Sequence, residues 1–176
     1  MNFNRKNLIN LIAVVAGILA LAVLVLPWYS LESHSSWGMD AYGGTTLGFA
    51  AAGTSFFGYA LYILPILTIG LAANNPSFPL TSKAKCLCLE LIGAVEFACL
   101  MFLQMSMNNY DVDVSSFGMS IHSGFEPTFG ITVASVVYIA TAVVGFIAYF
   151  IAPKEDPATL AAPAAEDTTP PTDNVQ

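Results

Sequence analysis

Long stretches without charge constrain this chain more than any other feature. No Asp, Glu, Lys or Arg occurs from Asn7 to Leu31, from Ala41 to Ser82 or from Thr128 to Ala152. Between Ala84 and Met107 the only carboxylates are Glu90 and Glu96. Each stretch holds the roughly 20 residues that carry a helix across about 30 Å of hydrocarbon. Lipid offers the backbone no hydrogen bonds, so such segments must satisfy themselves as helices. The sequence therefore reads as an all-α membrane protein, a bundle of four transmembrane helices. Composition agrees: 10% of residues are charged and 56% hydrophobic, whereas a soluble domain carries about a quarter charged residues. The first stretch follows "MNFNRK", a positive lead of the kind that opens a signal peptide. Its apolar run is too long for that role and "LPWYSLES" lacks a small-x-small cleavage site, so a retained helix is expected.

The basic residues set the expected orientation. There are five, Arg5, Lys6, Lys83, Lys85 and Lys154. With the N-terminus inside, all of them fall on the cytoplasmic face of a four-span layout, as the positive-inside rule requires. The outer loops, 29–45 and 108–127, hold Glu32, Asp40, Asp111, Asp113 and Glu126 instead. A multi-pass protein of the plasma membrane with both termini cytoplasmic is expected. The net charge of −7 leaves no basic footprint for nucleic acid. The expected partners are the lipid bilayer and another membrane protein or a second copy.

A repeat organises the chain. "SSWGM" at 35–39 returns as "SSFGM" at 115–119, and "TLGFAAAG" (46–53) is echoed by "TFGITVAS" (128–135). Both pairs occupy the same topological place, which predicts two tandem hairpins, 7–73 and 84–152, related by an axis along the membrane normal. Small residues four apart, Ala13/Gly17, Ala50/Thr54/Gly58 and Thr141/Gly145, predict close helix contacts. The membrane domain is expected over 1–152. Residues 153–176, rich in Pro, Ala and acids, are expected to form a disordered cytoplasmic tail.

Local signals place the boundaries. Pro27 should end the first helix, with Trp28 and Tyr29 at headgroup depth. Thr45 or Thr46 is expected to cap the second helix, Pro65 to kink it, and Pro127 to lie in the first turn of the fourth. "YDVDVSSFGMSI" (110–121) alternates polar and apolar residues like a strand. Pairing with "SLESHSSWGMDAY" (30–42) would give a small extracellular β-element in which Trp37 and Phe117 are equivalent interaction anchors.

Two acids carry the expected chemistry. Glu96 lies about 18 Å along its helix from Ala84, near mid-bilayer, where an ionisable group is expensive and marks a proton or cation site by default. No Lys or Arg is expected at that depth, so Glu96 should be carried as the neutral acid, bonded to Tyr138, Thr141, Thr54 or Ser55. Glu90, about 120° away around the helix, is shallow enough to reach Lys83 or Lys85 at the interface. The cysteines, Cys86, Cys88 and Cys99, lie in one apolar helix and read as packing residues rather than disulfide partners. His34 and His122 show no metal-ligand spacing and read as solvated loop residues, so no metal is expected. The sequence has no zinc-protease helix, phosphate-binding loop or nucleophile elbow. Neither a cofactor nor an enzymatic activity is expected.

The four-span layout with "LPWYSLESHSSWGM" in its first outer loop resembles claudin-type tetraspan proteins, without their paired loop cysteines. "LPWYS" at the end of the first helix also resembles small bacterial four-span membrane proteins. These resemblances imply topology alone. The expected function is that of a non-enzymatic accessory or scaffold protein that binds another membrane protein. The alternative is a small proton- or cation-linked transporter or channel subunit using Glu96.

Overall fold

A computed structural model describes residues 5–35, 41–73, 80–108, 112–116 and 119–154. Within these, residues 34–35, 41–42, 112–114, 116 and 119 are placed by backbone register alone. The order is α1 (Arg5–Ala22), a 3₁₀ turn (Val23–Val25), β1 (Pro27–Ser35), β2 (Ala41–Leu47), α2 (Gly48–Ala52) and α3 (Phe56–Gly70). The second half runs α4 (Ser82–Asn108), β3 (Val112–Ser116), β4 (Met119–Pro127) and α5 (Phe129–Ile151). The helix α1 with its 3₁₀ turn, α4 and α5 are long and apolar enough to cross a membrane. The fourth apolar helix, α3, has 15 residues, fewer than the roughly 20 that span hydrocarbon unaided.

The buried positions explain the packing. On α4 they are Ser82, Cys86, Leu89, Gly93, Glu96, Leu100, Leu103 and Met107, joined by Lys85 and Cys99. On α5 they are Ile131, Ala134, Tyr138, Thr141, Gly145 and Ala148, after Gly130. Alternating steps of three and four make one seam on each helix, the pattern of closely paired helices. Glycine lets the backbones meet. A Cβ on Gly93 would lie 2.6 Å from Ala142 N, and one on Gly145 would lie 2.5 Å from Glu90 N. Gly17 does the same for α1 against α3, 2.7 Å from Pro65 O. The helix α3 also packs on α4, and α1 touches α5.

At one end the helices carry a four-stranded sheet of order β2-β1-β4-β3, antiparallel throughout. At the other lie the cations: Lys85 Nζ donates to Asn10 Oδ1 at 2.9 Å, and Lys83 Nζ stands 5.1 Å from the centre of the Tyr149 ring. Both segments expected as outer loops thus form antiparallel strand pairs, and the β-element is larger than the sequence promised. The sheet order carries no two-fold. Exchanging the halves swaps β1 with β3 and β2 with β4, which would put β3 beside β2 at the centre. The observed centre is β1·β4 alone.

Several boundaries differ from expectation. Thr45 and Thr46 belong to β2, and Leu47 precedes α2 without a side-chain cap. Pro127 ends β4, while Thr128 stands before α5. The expected stripe Ala50/Thr54/Gly58 is broken, with Ala50 and Thr54 exposed. The chain turns at Gly53–Ser55: Thr54 Oγ1 donates to Ala51 O at 2.7 Å, and Ser55 Oγ accepts from Gly58 N at 3.0 Å, capping α3. Such side-chain bonds to nearby backbone compete with helix continuation. Pro65 lies inside α3 as expected. The tail lies outside the described residues from position 155.

Trp28 and Tyr29 are the largest departure. Both are buried within the protein, 0% and 1% exposed. Trp28 Nε1 donates to Val23 O at 2.9 Å. The repeated Thr-x-Gly motifs converge on this point. Gly48 N donates to Leu26 O and Thr128 N to Trp28 O, each at 2.8 Å, and the Thr128 hydroxyl donates to Pro27 O. A Cβ on Gly48 would lie 2.4 Å from the Trp28 ring, and one on Gly130 would lie 2.0 Å from Pro27 O. Only glycine admits this approach, so α2 and α5 both begin where glycine meets the start of β1.

Candidate functional site

Helix α4 has 27 residues, about 40 Å of rise, and Glu96 stands near its middle. Its position in the buried seam turns it inward, and its exposure is 0%. Tyr138, also 0% exposed, comes from the facing seam of α5. Tyr138 and Cys99, the latter a turn further along α4, lie close to Glu96. The three form one buried polar group in an otherwise apolar core that includes Leu61, Leu100 and Ala134.

The group is not knit together by hydrogen bonds. Both Glu96 carboxyl oxygens and the Tyr138 hydroxyl lack a hydrogen-bond partner among the described residues. The expected partners are engaged elsewhere. Thr141 Oγ1 donates to Val137 O at 2.9 Å, while Thr54 and Ser55 serve the turn before α3. A buried polar group without a partner costs about 1–3 kcal/mol, more when charged. Glu96 therefore occupies its buried position at an energetic cost.

A groove lies elsewhere on the helices, and neither Glu96 nor Tyr138 lines it. Between α1 and α5 lies a groove of about 370 Å³, lined by Leu11, Val15 and Leu19 on one side and Val136, Ala140 and Val144 on the other. Its walls are apolar, and its lone hydroxyl, that of Thr141, is bonded to its own helix. Such a groove suits an alkyl chain better than a hydrated ion.

The remaining residues are scattered. Glu90 is half-buried on the flank of α4 beside Gly145 and does not join Glu96. Trp37 and Phe117 lie outside the described residues. Cys86 is buried with Ile9, Ala148 and Ala152, a packing role, while Cys88 is half-buried. No three His, Cys, Asp or Glu side chains converge as metal ligands among the described residues. Sequence reading missed Cys99 as a neighbour of Glu96; its spacing of three along one helix was the available signal. No protein family, curated protein or solved structure matches this chain.

Proposed function

We propose that this chain is a four-span protein of the plasma membrane with both termini cytoplasmic. We infer that it acts as a non-enzymatic accessory or scaffold, presenting its sheet to another membrane protein. The observation that carries the reading is the central β1·β4 pair, which fuses the ends of both hairpins into one surface. Trp28 fixes that surface to the helices. Tight glycine contacts below it favour a rigid support over a moving pathway. The cations gathered at the opposite end, Lys83 and Lys85, support the orientation. In this reading α2 and α3 cross together, and the turn at Gly53–Ser55 meets its polar groups locally, Thr54 N donating to Ala51 O and Gly58 N to Ser55 Oγ.

Cross-linked co-purification from native membranes tests the scaffold. Trp37→Ala together with Phe117→Ala should reduce recovery of the partner, and unchanged recovery counts against the proposal. Labelling of Lys83 or Lys85 from outside intact cells would overturn the orientation.

A second reading, a proton- or cation-linked transporter or channel subunit, draws on the unpartnered Glu96 carboxyl beside Tyr138. Reconstituted flux that survives Glu96→Gln would eliminate it.

A further inference from the structure

An apolar groove and a cluster of cations meet on the helices. The groove between α1 and α5 runs along α1 from Leu11 to Leu19, about 12 Å of helix rise. Ile9 packs with Ala148 at one end of the bundle, and Gly130 meets Pro27 at the other. The two helices therefore run antiparallel, and Leu11 and Val144 mark the same end of the groove. Small side chains, Ala16 on α1 and Ala140 on α5, leave the room, and the buried Leu89 of α4 forms part of the floor. Cations gather beyond the Leu11 end. Lys85 lies one turn before Leu89, and its Nζ donates at 2.9 Å to Oδ1 of Asn10, the residue next to Leu11. Lys6 lies one turn before Asn10 on the same side of α1 and is exposed. Lys83 Nζ stands over the ring of Tyr149, little more than a turn past Val144. Glu90 sits on the flank of α4 beside Gly145 and does not line the groove.

We propose that the groove and its cationic end form a binding site for one anionic phospholipid. An acyl chain lies between α1 and α5, and the phosphate meets the charges of Lys6 and Lys85. The volume, about 370 Å³, falls within the roughly 300–1,000 Å³ of small-molecule sites. Apolar walls alone give no preference, because bulk lipid is as apolar as they are. Selectivity must come from charge, and a basic pocket between spanning helices supplies it to a phosphate-bearing head group. A neutral lipid gains nothing at the lysines. A second copy lying in the same orientation would bring its own cations against these, and like charges facing each other disfavour it as the occupant. The site needs α1, α4 and α5 to lie in a bilayer, which their length and composition allow. It is independent of the scaffold reading and of which end faces the cytoplasm.

Native mass spectrometry of the full-length protein, released from nanodiscs of equal phosphatidylglycerol and phosphatidylcholine, tests the assignment. One phosphatidylglycerol per chain should be retained in preference to phosphatidylcholine. Lys6→Ala and Lys85→Ala should each weaken that preference about fivefold. Lys6 is exposed, so its variant serves if Lys85→Ala fails to fold. Ala140→Phe fills the groove while leaving the lysines in place, and retention should be lost. Ile139→Phe, exposed on the same helix but outside the groove, should leave retention within about twofold. Equal retention of the two lipids, or a preference unchanged in Lys6→Ala/Lys85→Ala, would overturn the proposal. A preference lost with the lysines yet intact in Ala140→Phe would do the same, because the head group alone would then be bound at the surface. So would a lipid-free dimer broken by Ala140→Phe, which would seat a second copy in the groove.

Discussion

The two halves of the chain begin their returning segments with the same Thr-x-Gly and then diverge. After Gly130 the second half runs as a single helix to Ile151. From Gly48 the first half's helix lasts five residues, turns, and resumes as α3. The difference lies in a few side chains. Gly53, Thr54 and Ser55 supply a turn and a cap that end one helix and start another. The corresponding stretch of α5 continues with Ser135, which donates to Ile131 O at 2.9 Å without leaving the helix. The turn is then locked, because a Cβ at Gly58 would lie 1.8 Å from Ala52 O. The repeat thus records a shared local contact, glycine against the start of β1, rather than a symmetry of the whole molecule. The asymmetric sheet order supports that conclusion.

The largest expected effect falls where the halves meet. Trp28→Ala removes the ring that α2 and α5 both approach and one of the two hydrogen bonds to Val23 O, so it should cost about 3–5 kcal/mol. Thermal unfolding of the purified protein measures it, and a loss below about 1 kcal/mol would deny Trp28 its anchoring role. The equivalent glycines sharpen the comparison. Gly130→Ala drives a methyl into the Pro27 carbonyl, part of a bonded strand, and should cost about 3 kcal/mol. Gly48→Ala meets the Trp28 side chain, which can yield somewhat, and should cost about 1–2 kcal/mol. Equal losses in the same assay would mean that the two contacts are alike after all.

The three long apolar helices were legible because uncharged length is sufficient to read them. Glu96 was legible for the same reason, as a charge-bearing residue at a computable depth. Its lack of partners was not, since depth does not reveal which hydroxyls are already bonded to their own helices. The break at Gly53–Ser55 was hidden because small residues serve close packing and turns equally well. Trp28 looked like an interfacial aromatic because nothing near it in sequence shows that a sheet and two helix starts will cover it. The strand register was invisible for a related reason. Strand alternation in "YDVDVSSFGMSI" suggests a strand, but only the pairing register sets His122 between His34 and Asp113.

Glu96 tests whether the second half bears a functional burden that the first lacks. A buried carboxyl without a hydrogen-bond partner lowers stability, and an apolar residue of similar size removes that penalty. Glu96→Leu should therefore raise stability by about 1–2 kcal/mol in the same unfolding assay, with Glu96→Gln intermediate. A gain would mean that stability is forgone for a role at this position. A loss would identify Glu96 as structural glue with a partner it reaches only in the membrane.

The smallest effect belongs to Tyr29, at the sheet end and shared in packing by both hairpins through Phe125. Its hydroxyl is buried without a hydrogen-bond partner among the described residues, and burial pushes its pKa up to about 12 from 10.0. Tyr29→Phe keeps the ring contact, removes the stranded hydroxyl, and should stabilise by about 1 kcal/mol at neutral pH. The pH dependence has a definite sign. A folded-state value above the unfolded one gives a stabilisation that is complete below pH 10.0 and is lost as pH rises toward about 12. Unfolding temperatures across that window should fall more steeply for the unmodified chain than for Tyr29→Phe. Parallel curves would place the Tyr29 hydroxyl in water and loosen the sheet from the helices beneath it.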